Sequence, residues 1–156
     1  MARYTAIAEG VASGTALKTI LQIAADANRQ IAVYGLRISF KGTSSIAEPV
    51  RALLQRQSTA GTGGASLTAN YGVNRLDPGS PVSTVTPLRG PAGTWTAEPT
   101  AGEVVMAQEV HPQTGFGEYI PLGQEIIVPA SGRLAVVVIA AATVNVTAQL
   151  YWLEGH

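Results

Sequence analysis

Between Arg29 and Lys41 the chain alternates: Ala32, Tyr34, Leu36, Ile38 and Phe40 fall on one side at period two, and Arg37, Ser39 and Lys41 on the other. Successive side chains of a strand point to opposite faces, so the stretch predicts a β-strand with one face on a core and one partly wet. Ile31, Val33, Tyr34, Ile38 and Phe40 are β-branched or aromatic and suit a pleated surface. Before it, Arg3 to Ala8 reads as a first strand ending at Glu9-Gly10. Thr15 to Ala24 fits two periods: Leu17, Ile20, Leu21 and Ala24 on a helical face, or Leu17, Thr19, Leu21 and Ile23 on a strand face. Asp26-Ala27-Asn28 reads as a tight turn, so the strand reading is taken, with a hairpin onto Arg29–Lys41.

After the turn cluster Gly42 to Ser45, Ile46 to Gln57 alternates again. Ile46, Val50, Ala52 and Leu54 oppose Arg51, Leu53, Gln55 and Gln57, and Pro49 places the segment at an edge or a strand start. Residues 58–101 form a long excursion rich in Gly, Pro, Thr and Ser. Gly61 to Gly64, Asp77 to Pro81 and Gly90 to Gly93 mark turns, and Ser66–Tyr71, Val82–Thr86 and Thr94–Ala97 can carry short strands. An excursion of this length usually has a job, often contact with a partner. Strand patterning returns at Glu103–His111, with Val104, Met106 and Val110 on one face, and continues in Tyr119–Leu122 and Glu125–Val128. Arg133–Ala141 is apolar on both faces, as a central strand is. Val144–Glu154 alternates, with Val144, Val146, Ala148, Leu150 and Trp152 opposing Asn145, Thr147, Gln149 and Tyr151. The last two segments predict a hairpin turning near Ala141-Ala142. About eight to ten short strands separated by turn signals predict one all-β domain over residues 1–156, an antiparallel sandwich of jelly-roll type.

Charge changes this picture. Ten basic and ten acidic side chains cancel, and charged residues are only 13% of the chain. Eight of the basic residues are Arg, scattered along the chain. Balance and scatter both oppose a nucleic-acid groove or an anionic membrane surface. Low charge fits either a neutral, hydroxyl-rich β surface or a surface packed against copies of itself or a larger assembly. Cysteine is absent, which excludes disulfides, thiolate metal sites and a cysteine nucleophile. The beginning of the chain lacks the apolar run of a signal peptide, and Leu134–Ala142 is far short of a membrane span; synthesis in the cytoplasm is expected.

Candidate chemistry is sparse. Glu103, Glu109 and His111 share one strand face by parity and could bind a cation, but no second internal His gives metal-ligand spacing, and a solvated or subunit-facing strip is the better expectation. Asp26 and Asp77 stand in turn contexts. There is no Gly-x-Ser-x-Gly elbow, and Gly61-Thr62-Gly63-Gly64 lacks the Lys-Ser/Thr ending of a phosphate loop. Neither an enzyme nor a cofactor is expected. Arg37 and Lys41 are a paired basic position on a charge-poor strand, and Tyr71, Trp95, Phe116 and Tyr119 are aromatics in or beside loops. These six are the candidate interface residues; alternatively the aromatics plug the open ends of the sandwich.

Three blocks carry a resemblance: Leu17 to Ile23 running through Asn28-Arg29; Gly42-Thr43-Ser44 with Glu48-Pro49-Val50-Arg51; and His111-Pro112-Gln113 leading to Pro121–Glu125. Together they resemble small structural proteins encoded beside capsid genes in tailed bacteriophages, the decoration or cement proteins among them. The similarity leaves out residues 58–93. It implies a virion component that binds the major capsid protein on the outside of the head as an oligomer, most often a trimer. A tail or head-to-tail component is the alternative. A carbohydrate- or receptor-binding module with Tyr71, Trp95 and Tyr119 as stacking platforms is another.

Overall fold

Alternation is realised over most of the chain: the computed structural model describes residues 1–42, 48–67, 70–90 and 95–155, and the described residues contain twelve strands and no helix. In chain order they are β1 (Ala2–Ala12), β2 (Lys18–Ala24), β3 (Ile31–Lys41), β4 (Val50–Gln57), β5 (Ala65–Ser66), β6 (Asn74–Arg75), β7 (Thr86–Arg89), β8 (Ala101–Val110), β9 (Phe116–Tyr119), β10 (Ile126–Val128), β11 (Arg133–Ile139) and β12 (Asn145–Glu154). They make two antiparallel six-stranded sheets packed as a sandwich. Sheet A runs β10-β3-β12-β1-β6, with β9 also on β3, and sheet B runs β5-β7-β2-β11-β4-β8. The pairing is nested: β1 with β12, β2 with β11, β3 with β9 and β10, and β4 with β8.

Nesting overturns both expected hairpins. Thr15–Ala24 is a strand over Lys18–Ala24, but β2 lies in sheet B while β3 lies in sheet A. Likewise β11 belongs to sheet B and β12 to sheet A. Each short connection crosses the core instead of folding back. Asp26 organises the first: its carboxylate accepts from the Asn28 amide at 2.9 Å and its carbonyl from the Ser131 amide at 3.0 Å. Ser13 pins the second, accepting the Val144 amide on its hydroxyl at 3.1 Å. Alternation marks which face of a strand is apolar, and both sheets offer an apolar inner face. The pattern therefore leaves the choice of sheet open.

The core faces of β4 and β12 follow their alternation. Val50, Ala52 and Leu54 are buried against Val146, Ala148, Leu150 and Trp152 in the main core, and Trp152 stacks on Tyr4 at 6.1 Å between ring centroids. β11 is central, between β2 and β4. Its Leu134, Val136 and Val138 join the main core, while Ala135 and Val137 pack with Leu53 on the other side of sheet B. Pro49 stands immediately before β4.

The excursion closes one side of the sandwich. β6 adds to β1 and β7 to β2, and Thr62 bridges to Ala97. Of its expected strands, Ser66–Tyr71 survives as Ala65–Ser66, while Val82–Thr86 is displaced to Thr86–Arg89. Thr43 to Ser45 of the first turn cluster, Ile46, Thr68 and Ala69, Pro91 to Gly93, Thr94 and His156 lie outside the described residues.

Candidate functional site

The outer face of sheet A takes its form from a β-bulge at Tyr34. Across the β3–β12 pair, Trp152 opposes Val33 and Tyr151 opposes Gly35, so Tyr34 is the extra residue. An extra residue shifts the alternation by one position. Ile31 and Val33 before it, and Leu36 and Ile38 after it, therefore all reach the core. This corrects the single parity expected for β3. Ala32 and Tyr34 do not belong with Leu36 and Ile38; they share the outer face with Arg37, Ser39 and Lys41. Gly35 inside an apolar strand was the available signal.

Opposed residues share a face, so the registers define rows across the sheet. Arg3, Leu153, Ala32 and Ile127 form one row, and Thr5, Tyr151, Gly35 and Tyr119 the next. Ile7, Gln149, Arg37 and Gly117 form the third, and Thr147 with Ser39 the fourth. Between β12 and the β9/β10 edge the face thus runs from apolar, through aromatic, to polar. Tyr34, Tyr119 and Tyr151 cluster over Gly35, with centroid separations of 5.5 to 6.4 Å. A Cβ on Gly35 would approach Tyr119 Cδ1 to 2.8 Å and Tyr151 Cδ2 to 3.0 Å, so only glycine admits both rings. Burial pushes the Tyr34 hydroxyl pKa up, and burial followed by the hydrogen bond with Tyr119 does the same for Tyr151. The Arg37 guanidinium lies 5.6 Å from the Tyr119 ring centroid, within cation–π range.

Beside this cluster opens a groove of about 520 Å³, lined by Arg37, Ser39, Thr114, Tyr119, Thr147 and Gln149 with Gly115 and Gly117 among its other walls. Its depth comes from Gly117, which stands opposite Arg37 without a side chain. At the far corner Lys41 Nζ bonds Glu9 at 3.0 Å. Hydrogen bonds from Lys41 and then Tyr71 lower the Glu9 pKa, and the same contacts raise those of Lys41 and Tyr71. A second hollow, about 270 Å³ and lined by Tyr4, Arg29, Pro81 and Glu154, is closed chemically. Glu154 already accepts from Trp152 Nε1, the Ser83 hydroxyl and the Thr84 amide.

Of the candidate interface residues, Arg37, Lys41 and Tyr119 share the outer face of sheet A, and Tyr71 joins them through Glu9. Trp95 is buried in the protomer, its indole N–H on the Thr19 carbonyl at 3.0 Å. Phe116 packs partly buried against the main core. Tyr34, Tyr151, Thr147 and Gln149 enter the site only through the bulge and the register.

The carboxylates of β8 do not gather. A register shift opposite Leu54/Gln55 separates Glu109, paired with Arg51 at 3.9 Å, from Glu103, paired with Arg56 at 3.8 Å. Arg51 and Arg56 are five positions apart on β4, so the two acids stand on opposite faces. His111 Nδ1 accepts the Gln113 amide at 3.2 Å in its own turn. Among the described residues no group of three or more His, Cys, Asp or Glu could hold a metal ion. β8 itself ends sheet B, and among the described residues no strand covers its free side. Nearly all of it is exposed, including Val104 and Val105.

No family model, no curated protein and no solved structure matches the chain.

Proposed function

We propose that this chain is a virion structural protein of a tailed bacteriophage, a jelly-roll head decoration protein that binds the outside of the capsid as an oligomer. The observation that carries the reading is the free edge of β8. A ten-residue edge strand with exposed Val104 and Val105 presents a row of unpaired backbone groups that soluble monomers blunt or cover. Its natural use is strand addition to another subunit or to the shell. The nested pairing supports the jelly-roll assignment: β1-β12-β3-β9/β10 faces β2-β11-β4-β8, and β1 to β4 alternate between the sheets, as do β10, β11 and β12. The resemblance of Leu17–Ile23, Glu48–Arg51 and His111–Glu125 to phage structural proteins supports the location. Many weak contacts on a symmetric shell add by avidity, so such a subunit works without chemistry of its own.

Sedimentation equilibrium with a shell-binding assay tests the reading. A trimer that co-sediments with expanded capsids is expected, with Val104→Lys weakening assembly while the protomer still melts cooperatively. A monomer that ignores capsids overturns it. A copy number of a few per virion would move the protein to the tail or the head-to-tail junction.

A further inference from the structure

We propose that the groove beside Arg37 and Tyr119 binds an acidic sugar, holding its carboxylate on the Arg37 guanidinium and its ring against the exposed part of Tyr119. The proposal is independent of the particle to which the protein belongs.

The argument starts with Arg37. Five other cations, Arg3, Lys18, Lys41, Arg51 and Arg56, each have a carboxylate within 4.0 Å, whereas among the described residues none pairs with Arg37. Its planar fork is free for a bidentate carboxylate, the geometry guanidinium serves best. Tyr119 as a residue is about half exposed, at 53%, and its ring already lies beneath this cation. Aromatic side chains offer an apolar surface to the C–H face of a sugar while the rim stays wet.

The remaining walls select a polyol over a simple anion. Gln149 Nε2 is committed to Thr5 Oγ1 at 2.9 Å, which leaves its carbonyl oxygen as an acceptor for the groove. Thr147 Oγ1 accepts the Gly10 amide at 3.2 Å, which leaves its hydroxyl proton to donate. Ser39 has no hydrogen-bond partner among the described residues and does both. Sulfate brings acceptors only and has no donor for the Gln149 carbonyl. The hydroxyls of a sugar acid supply donors alongside its carboxylate. The groove volume of about 520 Å³ lies inside the range of small-molecule sites.

Titration of the full chain with methyl β-D-glucuronide, followed by amide NMR, tests the assignment. Saturable shifts are expected at the Gly115 and Gly117 amides and the Gln149 side-chain amide, with about tenfold weaker binding of the neutral methyl β-D-glucoside. Arg37→Gln should erase that difference at unchanged melting temperature. Gln149→Glu, which places a competing carboxylate in the groove, should also remove binding of the acid. The proposal falls if the shifts do not saturate or map elsewhere. It falls equally if the glucoside binds as well as the glucuronide, or if acetate reproduces the response at the same concentration.

Discussion

The indole N–H of Trp95 donates to the carbonyl oxygen of Thr19 at 3.0 Å, tying the excursion to β2 across 76 residues of chain. The bond occupies a strand carbonyl beside β7, and Gly64 lies against the same ring so closely that a Cβ there would run into it. Trp95 therefore works as a peg. Trp95→Ala should cost about 3–5 kcal/mol in chemical denaturation, and Trp95→Phe, which keeps most of the volume and loses the bond, about 1–2 kcal/mol. Equal effects of the two would show that the hydrogen bond carries the whole contribution and the packing none.

Gly35 is the floor of the tyrosine cluster. Gly35→Ala should destabilise the protein by about 1–3 kcal/mol, because the new methyl overpacks against Tyr119 and Tyr151. The near-ultraviolet circular dichroism of the tyrosines should change at the same time. An unaltered spectrum with full stability would contradict the cluster as described.

Glu154 fastens the end of β12 to the excursion. Trp152 Nε1 donates to it at 3.0 Å, and Ser83 and Thr84 donate to it from the segment before β7. Glu154→Leu leaves the buried Trp152 N–H without a partner and should cost about 1–3 kcal/mol. Glu154→Gln keeps an acceptor there and should cost less, a ranking that thermal melting can read.

Acid should weaken the outer face of sheet A. The hydrogen bond from Lys41 holds the Glu9 carboxyl below its ordinary 4.5, and that from Arg3 holds Asp77 below 3.8. With folded pKa values depressed, these contributions are complete above the ordinary values and are lost as pH falls through the folded ones. The pKa values of Lys41 and Arg3 are raised, which places their own losses on the alkaline side, outside the acid limb. Glu9→Gln and Asp77→Asn should each flatten the fall in melting temperature between about pH 5 and pH 2. Both pairs are exposed, so salt should shrink the effect.

Much of the strand content was legible because burial imprints period two on the chain. The core rows of β4 and β12, the central position of β11 and the turn role of Asp26 all follow from residue type and spacing. The candidate site was legible only in part. Arg37, Lys41 and Tyr119 stand out as cations and an aromatic in a charge-poor chain, whereas Tyr34 and Tyr151 look like members of ordinary alternating strands. The bulge at Tyr34 moves one tyrosine from the core row to the outer face, and a single inserted position leaves no mark on composition.

The sequence by itself determined that the protein is a β structure, which residues of most strands are apolar, and that its charge is sparse and balanced. The tertiary structure alone decided that neighbouring strands cross the core instead of forming hairpins, and that residues from β3, β9 and β12 meet over Gly35. The physical reason is that alternation records only the polarity of the space beside each residue. Pairing partners and register depend on which apolar faces close on each other, and those choices are made between segments far apart in the chain.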